Sequence, residues 1–145
     1  MRTELPGQNI VRLGRLLRNS FANEFRNRFG DEISPTGDRI LAYLRNNPGT
    51  NQSRIAALFE LTKSTASEVL SFLEVKGYLE SRIDPNDKRG KQLFITEKGK
   101  RINELSRETL LAHDARLFAD VTDEELAAFN SIYEKVTAKM KEAKQ

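Results

Sequence analysis

The chain contains no cysteine and a single histidine among its 145 residues. Without cysteine it can form no disulfide, cysteine zinc site or thiol nucleophile. One histidine, His113, cannot make a multi-histidine metal site within one subunit. His113 beside Asp114 is the only candidate general base, and no carboxylate pair, glycine-rich phosphate loop or metal ligand set accompanies it. We therefore expect no enzyme, no cofactor and no metal, with His113 as a partly buried or surface residue of a helix.

Long hydrophobic runs are also absent. No stretch of about 18 apolar residues occurs, so we expect no membrane span. Near the N-terminus, Arg12, Arg15 and Arg18 interrupt the apolar region that a signal peptide would need. We expect a cytoplasmic protein with one domain, or one domain plus helices that need a partner.

Positive charge is concentrated in the first two-thirds of the chain. Residues 1–50 carry 8 Lys and Arg against 5 Asp and Glu, and residues 51–100 carry 9 against 7. Residues 101–145 reverse the balance, with 7 against 9. This polarity suits a molecule with one face toward an anionic polymer. Ordinary scatter of charge accounts for it equally well.

Apolar residues at steps of three and four predict a long first helix from Asn9 to Phe29, after a loose arm over residues 1–8. Core packing within one subunit explains its apolar stripe, and the alternative is that the N-terminal part packs against another subunit. Ser34 and Pro35 predict the start of a second helix, as N-cap and first helical residue. The stripe consists of Ile10, Leu13, Leu17, Phe21, Phe25 and Phe29.

A helix-turn-helix pattern follows. A short helix is predicted from Asn51 to Phe59, and Thr62 is the N-cap of the next helix, which ends near Gly77. Short hydroxylated residues on the exposed side of the helix that starts after Thr62 can reach phosphates or base edges in a major groove. Because they are poor helix formers, a merely soluble helix seldom concentrates them. The exposed side carries Thr62, Lys63, Ser64, Thr65, Ser67, Glu68 and Ser71.

A β-hairpin is predicted directly after this helix, with strands over residues 78–83 and 91–95 and a polar tip over residues 84–90. Arginine on a loop beside a groove-reading helix suits insertion into a narrow minor groove, although a solvated loop is the alternative. Asp84 and Asp87 are expected to cap the turn and hold the arginine. The expected apolar anchors are Leu79, Ile83, Leu93 and Ile95. The cations at or next to the tip are Lys88, Arg89 and Lys91.

Two further helices are predicted, one from Thr96 to about Ala119 and one after a capping box at Thr122–Glu125. The last helix has an apolar side formed by Leu126, Phe129, Ile132, Tyr133, Val136 and Met140. These helices would leave apolar surface in water, and a two-fold dimer would bury it. The predicted fold is mostly α with a small β-hairpin wing. A winged helix-turn-helix covers residues 34–96, and dimerisation helices lie in residues 1–33 and 97–145.

These features resemble the MarR family of bacterial transcriptional regulators. The segment Asp84–Gly90, DPNDKRG, resembles the family's wing signature D-P-x-D-x-R. Leu93, Thr96 and Gly99 follow in keeping with the family's L-T-x-x-G. The runs Ser64–Ser67 and Leu73–Leu79 resemble the family's recognition helix and its exit, and Arg82 lies where the family has an arginine before the wing. The resemblance covers nearly the whole chain, and its signals are specific in combination.

The sequence departs from the family pattern at two positions of the predicted recognition helix. Glu68 and Phe72 occupy positions where basic residues are common in the family. Less positive charge there lowers nonspecific attraction to phosphates. Glu68 has two alternatives: an ion pair with a neighbouring Lys or Arg, or a hydrogen bond accepted from cytosine N4.

The resemblance implies a homodimeric repressor that binds double-stranded DNA at a pseudo-palindromic operator. Two recognition helices would enter successive major grooves about 34 Å apart, with the wings in the flanking minor grooves. The implied DNA-binding residues are Arg54, Thr62, Lys63, Ser64, Thr65, Ser67, Glu68, Arg82, Lys88, Arg89 and Lys91.

The resemblance also implies a small effector, aromatic or anionic, that releases the protein from DNA. Its pocket would lie between the dimerisation helices and the winged domain, at Leu17, Phe21, Phe25 and Tyr43. Core packing explains these four residues as well. The alternative function is a ligand-independent helical module that uses the winged domain to bind protein.

Overall fold

A computed structural model describes residues 5–144, apart from the side chains of residues 87–89. The described chain is mostly helical with one small antiparallel sheet, in agreement with the predicted fold class. Within this part, no helix is both long and apolar enough to span a membrane. The elements are α1 (Pro6–Phe29), α2 (Pro35–Asn46), β1 (Thr50–Asn51), α3 (Gln52–Leu58), α4 (Lys63–Val75), β2 (Leu79–Asp84), β3 (Asp87–Ile95), α5 (Glu97–Leu117) and α6 (Asp123–Glu142).

The first helix starts earlier than predicted. It begins at Pro6, so the expectation of a loose arm up to residue 8 is wrong for residues 6–8. Proline is tolerated at a first helical position because its missing N–H would have no partner there. Along the apolar stripe, Phe25 and Phe29 are buried and pack together, with ring centroids 4.7 Å apart. The N-terminal end of the stripe remains exposed.

The core of the winged region comes from α2, α3, α4, β2 and β3, together with Tyr78. The amphipathic spacing of α2 buries Ile40, Leu41 and Leu44, and α4 buries Ala66, Leu70 and Leu73. The predicted N-caps are confirmed: Ser34 accepts from the Gly37 N–H, and Thr62 accepts from the Thr65 N–H. Further core residues are Ile55, Tyr78, Leu79 and Leu93.

The sheet contains a strand that the sequence did not predict. The two residues of β1 pair with β3, and the strand order is β1-β3-β2. Thr50 on one side and Ser81 on the other both align with Leu93. A two-residue strand is too short to show an alternating pattern, so its apolar periodicity carries no signal.

The hairpin is longer and its turn tighter than predicted. β2 reaches Asp84 and β3 begins at Asp87, so only Pro85 and Asn86 lie between the strands. The prediction of a seven-residue tip over residues 84–90 is therefore wrong. The Asp84 carboxylate accepts a hydrogen bond from the Asn86 N–H at 2.8 Å, which stabilises a tight turn. Ile83, an expected anchor, is 73% exposed because it lies beyond the reach of the core.

A buried tyrosine joins the end of α4 to the start of β2. The Tyr78 hydroxyl donates to Glu32 at 2.9 Å. Burial raises the pKa of Tyr78 to about 12, with Glu32 adding to the shift. The Tyr78 carbonyl accepts from the Thr96 N–H at 3.1 Å, and Lys98 donates to the Lys76 carbonyl at 2.7 Å. These contacts tie the entry and the exit of the hairpin together.

The described chain divides into two compact units between His113 and Asp114. In the second unit, α6 has the predicted capping box. Thr122 accepts from the Glu125 N–H at 3.2 Å, and the Thr122 N–H donates to the Glu125 carboxylate at 2.9 Å. No residue of α6 is buried.

Replacing Gly99 by alanine is expected to destabilise the fold severely. A Cβ at this position would lie 2.0 Å from the Tyr78 carbonyl oxygen, a backbone atom that cannot move aside cheaply. We expect a loss of about 3 kcal/mol or more in the free energy of unfolding, measured by urea denaturation.

The control is Gly14→Ala in α1, where an added Cβ meets no atom within 4 Å. That substitution should stabilise the helix by roughly 0.5–1 kcal/mol. Equal effects of the two substitutions would contradict the close approach at Gly99.

Candidate nucleic-acid interface

The helix-turn-helix is built from α3 and α4. Asn51 caps α3 by accepting a hydrogen bond from the Arg54 N–H at 2.9 Å. Glu60 in the turn has a φ of 53°, which is uncommon for a residue other than glycine. The Leu61 N–H then donates to the Ala56 carbonyl at 2.9 Å, which closes the turn before α4.

The surface of α4 that faces away from the core is polar in its first two turns. Ser64, Glu68, Ser71 and Val75 follow one another at steps of four, three and four, so they share one face. Thr62 lies at the N-terminal end and donates to the Thr65 hydroxyl at 2.9 Å besides capping the helix. All the residues of α4 and its cap that the sequence assigned to DNA are exposed: Thr62, Lys63, Ser64, Thr65, Ser67 and Glu68.

A polar groove of about 760 Å³ separates α4 from the hairpin. Lys63 and Ser67 line it from the helix, and Lys91 lines it from the strand. The Ser81 hydroxyl donates to the Glu74 carboxylate across the groove at 2.7 Å, which connects α4 to β2. The groove therefore brings a cation of α4 and a cation of the hairpin to one surface.

The hairpin residues that the sequence predicts to bind DNA do not all lie on the same face of the hairpin. The Arg82 guanidinium lies 4.2 Å from the centre of the Phe94 ring and forms an ion pair with Glu80. Because neighbouring residues of a strand point to opposite faces, Arg82 lies on the face away from Ser81 and the groove. Lys91 is exposed and lines the groove, whereas Arg54 of α3 is exposed but does not line it. The side chains of Asp87, Lys88 and Arg89 lie outside the described part of the chain.

Glu68 does not form the intramolecular pair that the sequence suggested as one alternative. Its carboxylate has no hydrogen bond or ion pair with any described side chain. The helix positions within its reach hold Ser64, Thr65, Ser71 and Phe72, none of which is a cation. Phe72 lies beneath the ammonium group of Lys76 at 5.6 Å.

A second concave region lies between α1, α2 and α5. Its volume is about 340 Å³ and its walls include Phe21, Phe25 and Leu110. Two of the four residues predicted for an effector, Leu17 and Tyr43, do not line it. Leu17 is half-buried elsewhere on α1, and Tyr43 packs edge-on against Phe59, with ring centroids 6.2 Å apart.

Charged residues of this pocket were missed by the sequence analysis. Arg18 and Arg39 contribute cations, and Asp38 contributes a carboxylate. Periodicity gives Arg18 and Arg39 no distinguishing signal, because each looks like an ordinary exposed residue beside an apolar stripe. Asp38 lies in the first turn of α2, where an acidic residue is common for helix-dipole reasons.

Asp38 is buried and connects α2 to α5. Its carboxylate accepts from the Ser106 hydroxyl at 2.7 Å and from the Asn103 amide at 3.0 Å. Burial raises the pKa of Asp38 above its ordinary value of 3.8, and the two hydrogen bonds partly oppose the shift.

A hydrogen bond of 2.8 Å joins His113 Nε2 to the Ser20 hydroxyl, and the His113 ring packs edge-on against Phe21. His113 is thus a partly buried helix residue, as expected.

Residues 33–91 match the model of the MarR family. The match spans the helix-turn-helix and most of the hairpin, the two elements that form the groove. The chain carries a MarR-family domain.

Several known proteins are similar to this chain in sequence or in fold. The uncharacterized HTH-type transcriptional regulator YybA of Bacillus subtilis is 34% identical over 67 residues, which is 46% of this chain and 45% of YybA. The chain spans about half the length of the curated relatives it matches. The fold of wild-type MarR from E. coli matches with a TM-score of 0.80 at 19% identity, over 94% of this chain and 98% of that one.

PcaV of Streptomyces coelicolor, in complex with its natural ligand, matches the fold with a TM-score of 0.68 at 23% identity. The match covers 95% of this chain and 98% of PcaV. Both structural likenesses extend beyond residues 33–91 into the flanking helices, so the likeness in fold to MarR and PcaV is wider than the likeness in sequence.

The raised pKa of Asp38 predicts a pH dependence of stability. Because the native pKa lies above the unfolded value, the native state binds this proton more tightly than the unfolded state. The wild-type protein should therefore lose stability as the pH rises from about 4 through the native pKa. Asp38→Asn has no proton to lose there, and its amide can still accept from Asn103.

The measurement is the free energy of urea unfolding between about pH 4 and pH 8 for both proteins. The stability of Asp38→Asn relative to wild type should increase with pH across that window. Asp31→Asn, which removes an exposed carboxylate, is the control. A relative stability that does not change with pH would contradict the assignment.

Proposed function

We propose that this chain is a sequence-specific DNA-binding transcriptional regulator, a repressor that acts in the cytoplasm. The observation that carries the proposal is the groove between α4 and the hairpin, where Lys63 and Lys91 lie beside exposed hydroxyls of α4. Short polar side chains on one helix face allow close approach to base edges, and the flanking cations attract phosphates. In this proposal α4 enters a major groove and the hairpin reaches the adjacent minor groove.

We infer different roles for several of the predicted DNA-binding residues. Arg54 and Lys63 are exposed and have no partner among the described side chains, so both are available for phosphates. Thr62 is engaged in capping α4, so its contribution is to position the helix. Arg82 is held by Phe94 and Glu80 and would contact DNA only on the far face of the hairpin. Lys88 and Arg89 are proposed for the minor groove on their sequence alone.

The functional form is proposed to be a homodimer on a pseudo-palindromic operator. The N-terminal part of α1 leaves Ile10 and Leu13 more than two-fifths exposed. On α6, Phe129, Ile132 and Val136 are nearly half exposed, and no residue of that helix is buried. Apolar helix faces of this length are unfavourable in water, and a two-fold partner would cover them. Residues 1–33 and 97–145 would then supply the dimer, and residues 34–96 the DNA contacts.

A small aromatic anion is the proposed effector. The pocket of about 340 Å³ is within the range of small-molecule sites and suits a single ring. Phe21 and Phe25 provide aromatic walls, and Arg18 and Arg39 provide cations for a carboxylate. The natural ligand seen in PcaV belongs to that protein, and the shared fold makes the same general mode of control reasonable here. Release from DNA requires that the ligand bind the DNA-free conformation more tightly.

Arg54→Ala is expected to weaken binding to every duplex and to reduce its salt dependence. A duplex recovered by selection from a random pool serves as the operator. Loss of one phosphate contact should lower the slope of log affinity against log salt by about 0.9. Arg101→Ala, an exposed arginine of α5 outside the helix-turn-helix and hairpin, is the control.

The mass of the complex in sedimentation gives the number of chains per duplex, for which we expect two. A salt slope that Arg54→Ala leaves unchanged would contradict its phosphate role. Failure to recover any duplex, together with salt-insensitive binding to protein, would favour the alternative of a protein-interaction module.

The effector proposal is tested by calorimetry with benzoate and hydroxybenzoates, with and without operator. We expect binding that weakens in the presence of operator, because coupling between two ligands is reciprocal. Arg18→Gln should abolish this binding, since it removes a cation from the pocket, whereas Arg15→Gln, which does not line that pocket, should not. If no compound of the panel gives a heat of binding, the effector proposal is contradicted and the protein is better described as a ligand-independent regulator.

A further inference from the structure

We propose that Glu68 selects the operator sequence by accepting a hydrogen bond from the exocyclic N4 amine of cytosine in the major groove. This inference rests on the proposed function and deepens it by naming a specificity-determining residue. The proposal depends on where Glu68 lies, on its lack of a partner, and on the chemistry of base edges.

The packing of α4 determines the direction in which Glu68 points. Ala66, Leu70 and Leu73 are buried, at 0%, 4% and 0% exposure, and hold one side of the helix against the core. Glu68 is in the opposite row, between Ser64 and Ser71. If α4 lies in a major groove, this row is the part of the helix nearest the base edges. Glu68 would be its only ionised residue.

The carboxylate of Glu68 is free among the described side chains, whereas its acidic neighbours are engaged. Glu74 accepts from the Ser81 hydroxyl at 2.7 Å, and Glu80 pairs with Arg82. Lys76, the C-cap residue of α4 and the next cation after Glu68 in the chain, is placed over the Phe72 ring. No described interaction thus neutralises Glu68 or turns it aside before DNA arrives.

An ionised carboxylate can only accept hydrogen bonds. In the major groove, guanine presents two acceptors and thymine an acceptor and a methyl group, so both would repel it or leave it unpaired. Adenine presents a donor beside the N7 acceptor, and cytosine presents the N4 donor without an adjacent acceptor. Cytosine is therefore the base that best fits Glu68, and the other bases are disfavoured by repulsion as much as cytosine is favoured by attraction.

If the Glu68 carboxylate only faced solvent, its removal would affect DNA binding differently. Removing it would strengthen binding to all duplexes alike, because one repulsion from the phosphates would be lost. A base-reading carboxylate instead changes which base is preferred at one position of each half-site. The base preference therefore separates a specific role from a general electrostatic one.

The experiment selects duplexes from a random pool with the full-length wild type, Glu68→Ala and Glu68→Gln. We expect the wild type to prefer cytosine at one position per half-site, by between about 5-fold and 150-fold over other bases. Glu68→Ala should lose that preference and tolerate all four bases. Glu68→Gln should shift it toward adenine, because a glutamine amide pairs with both N6 and N7 of adenine.

Glu60→Gln is the matched control, since it removes an exposed carboxylate from the same helix-turn-helix without altering the outward face of α4. It should keep the wild-type cytosine preference. An unchanged preference in Glu68→Ala, with uniformly stronger binding, would overturn the inference and leave the proposed function standing. A wild-type protein that enriches no duplex at all would overturn both.

Discussion

The contact between the Tyr78 carbonyl and Gly99 is the constraint on which the groove between α4 and the hairpin depends. It brings the start of α5 against the junction of α4 and β2, close enough that no side chain fits between the two backbones. The hydrogen bonds from Thr96 and Lys98 act at the same junction. Because the hairpin begins and ends there, backbone packing at this junction determines the position of its base relative to α4.

That rigidity has a consequence for the groove. The Ser81–Glu74 hydrogen bond adds a second connection between helix and hairpin, farther out toward the turn. Two connections at different heights limit both the distance and the tilt between the two elements that are proposed to contact DNA. Preorganisation of this kind reduces the ordering cost of binding. Away from the residues that line the groove, Asp38 joins α2 to α5 through buried hydrogen bonds, in the wall of the pocket proposed for an effector.

Most of the helical architecture was predictable because its signals are local. The N-caps at Ser34 and Thr62 and the capping box at Thr122 involve residues three positions apart, and all three form as expected. The tight turn at Pro85–Asn86 was missed because a polar, basic segment predicts a loop from its composition. Composition does not show whether the backbone of such a segment continues the strands. β1 was missed because two residues carry no periodicity.

By itself, the sequence determined which residues share a face of each helix, where the helices begin, and the wing signature that resembles the MarR family. Only the tertiary structure decided what lies against those faces. It placed Asn103 and Ser106 opposite Asp38, a glycine against the Tyr78 carbonyl, and Arg18 and Arg39 around a pocket. It also left Glu68 without a partner among the described side chains. Spacing along a helix reports neighbours within that helix, whereas contacts between residues about 65 positions apart depend on how the elements pack.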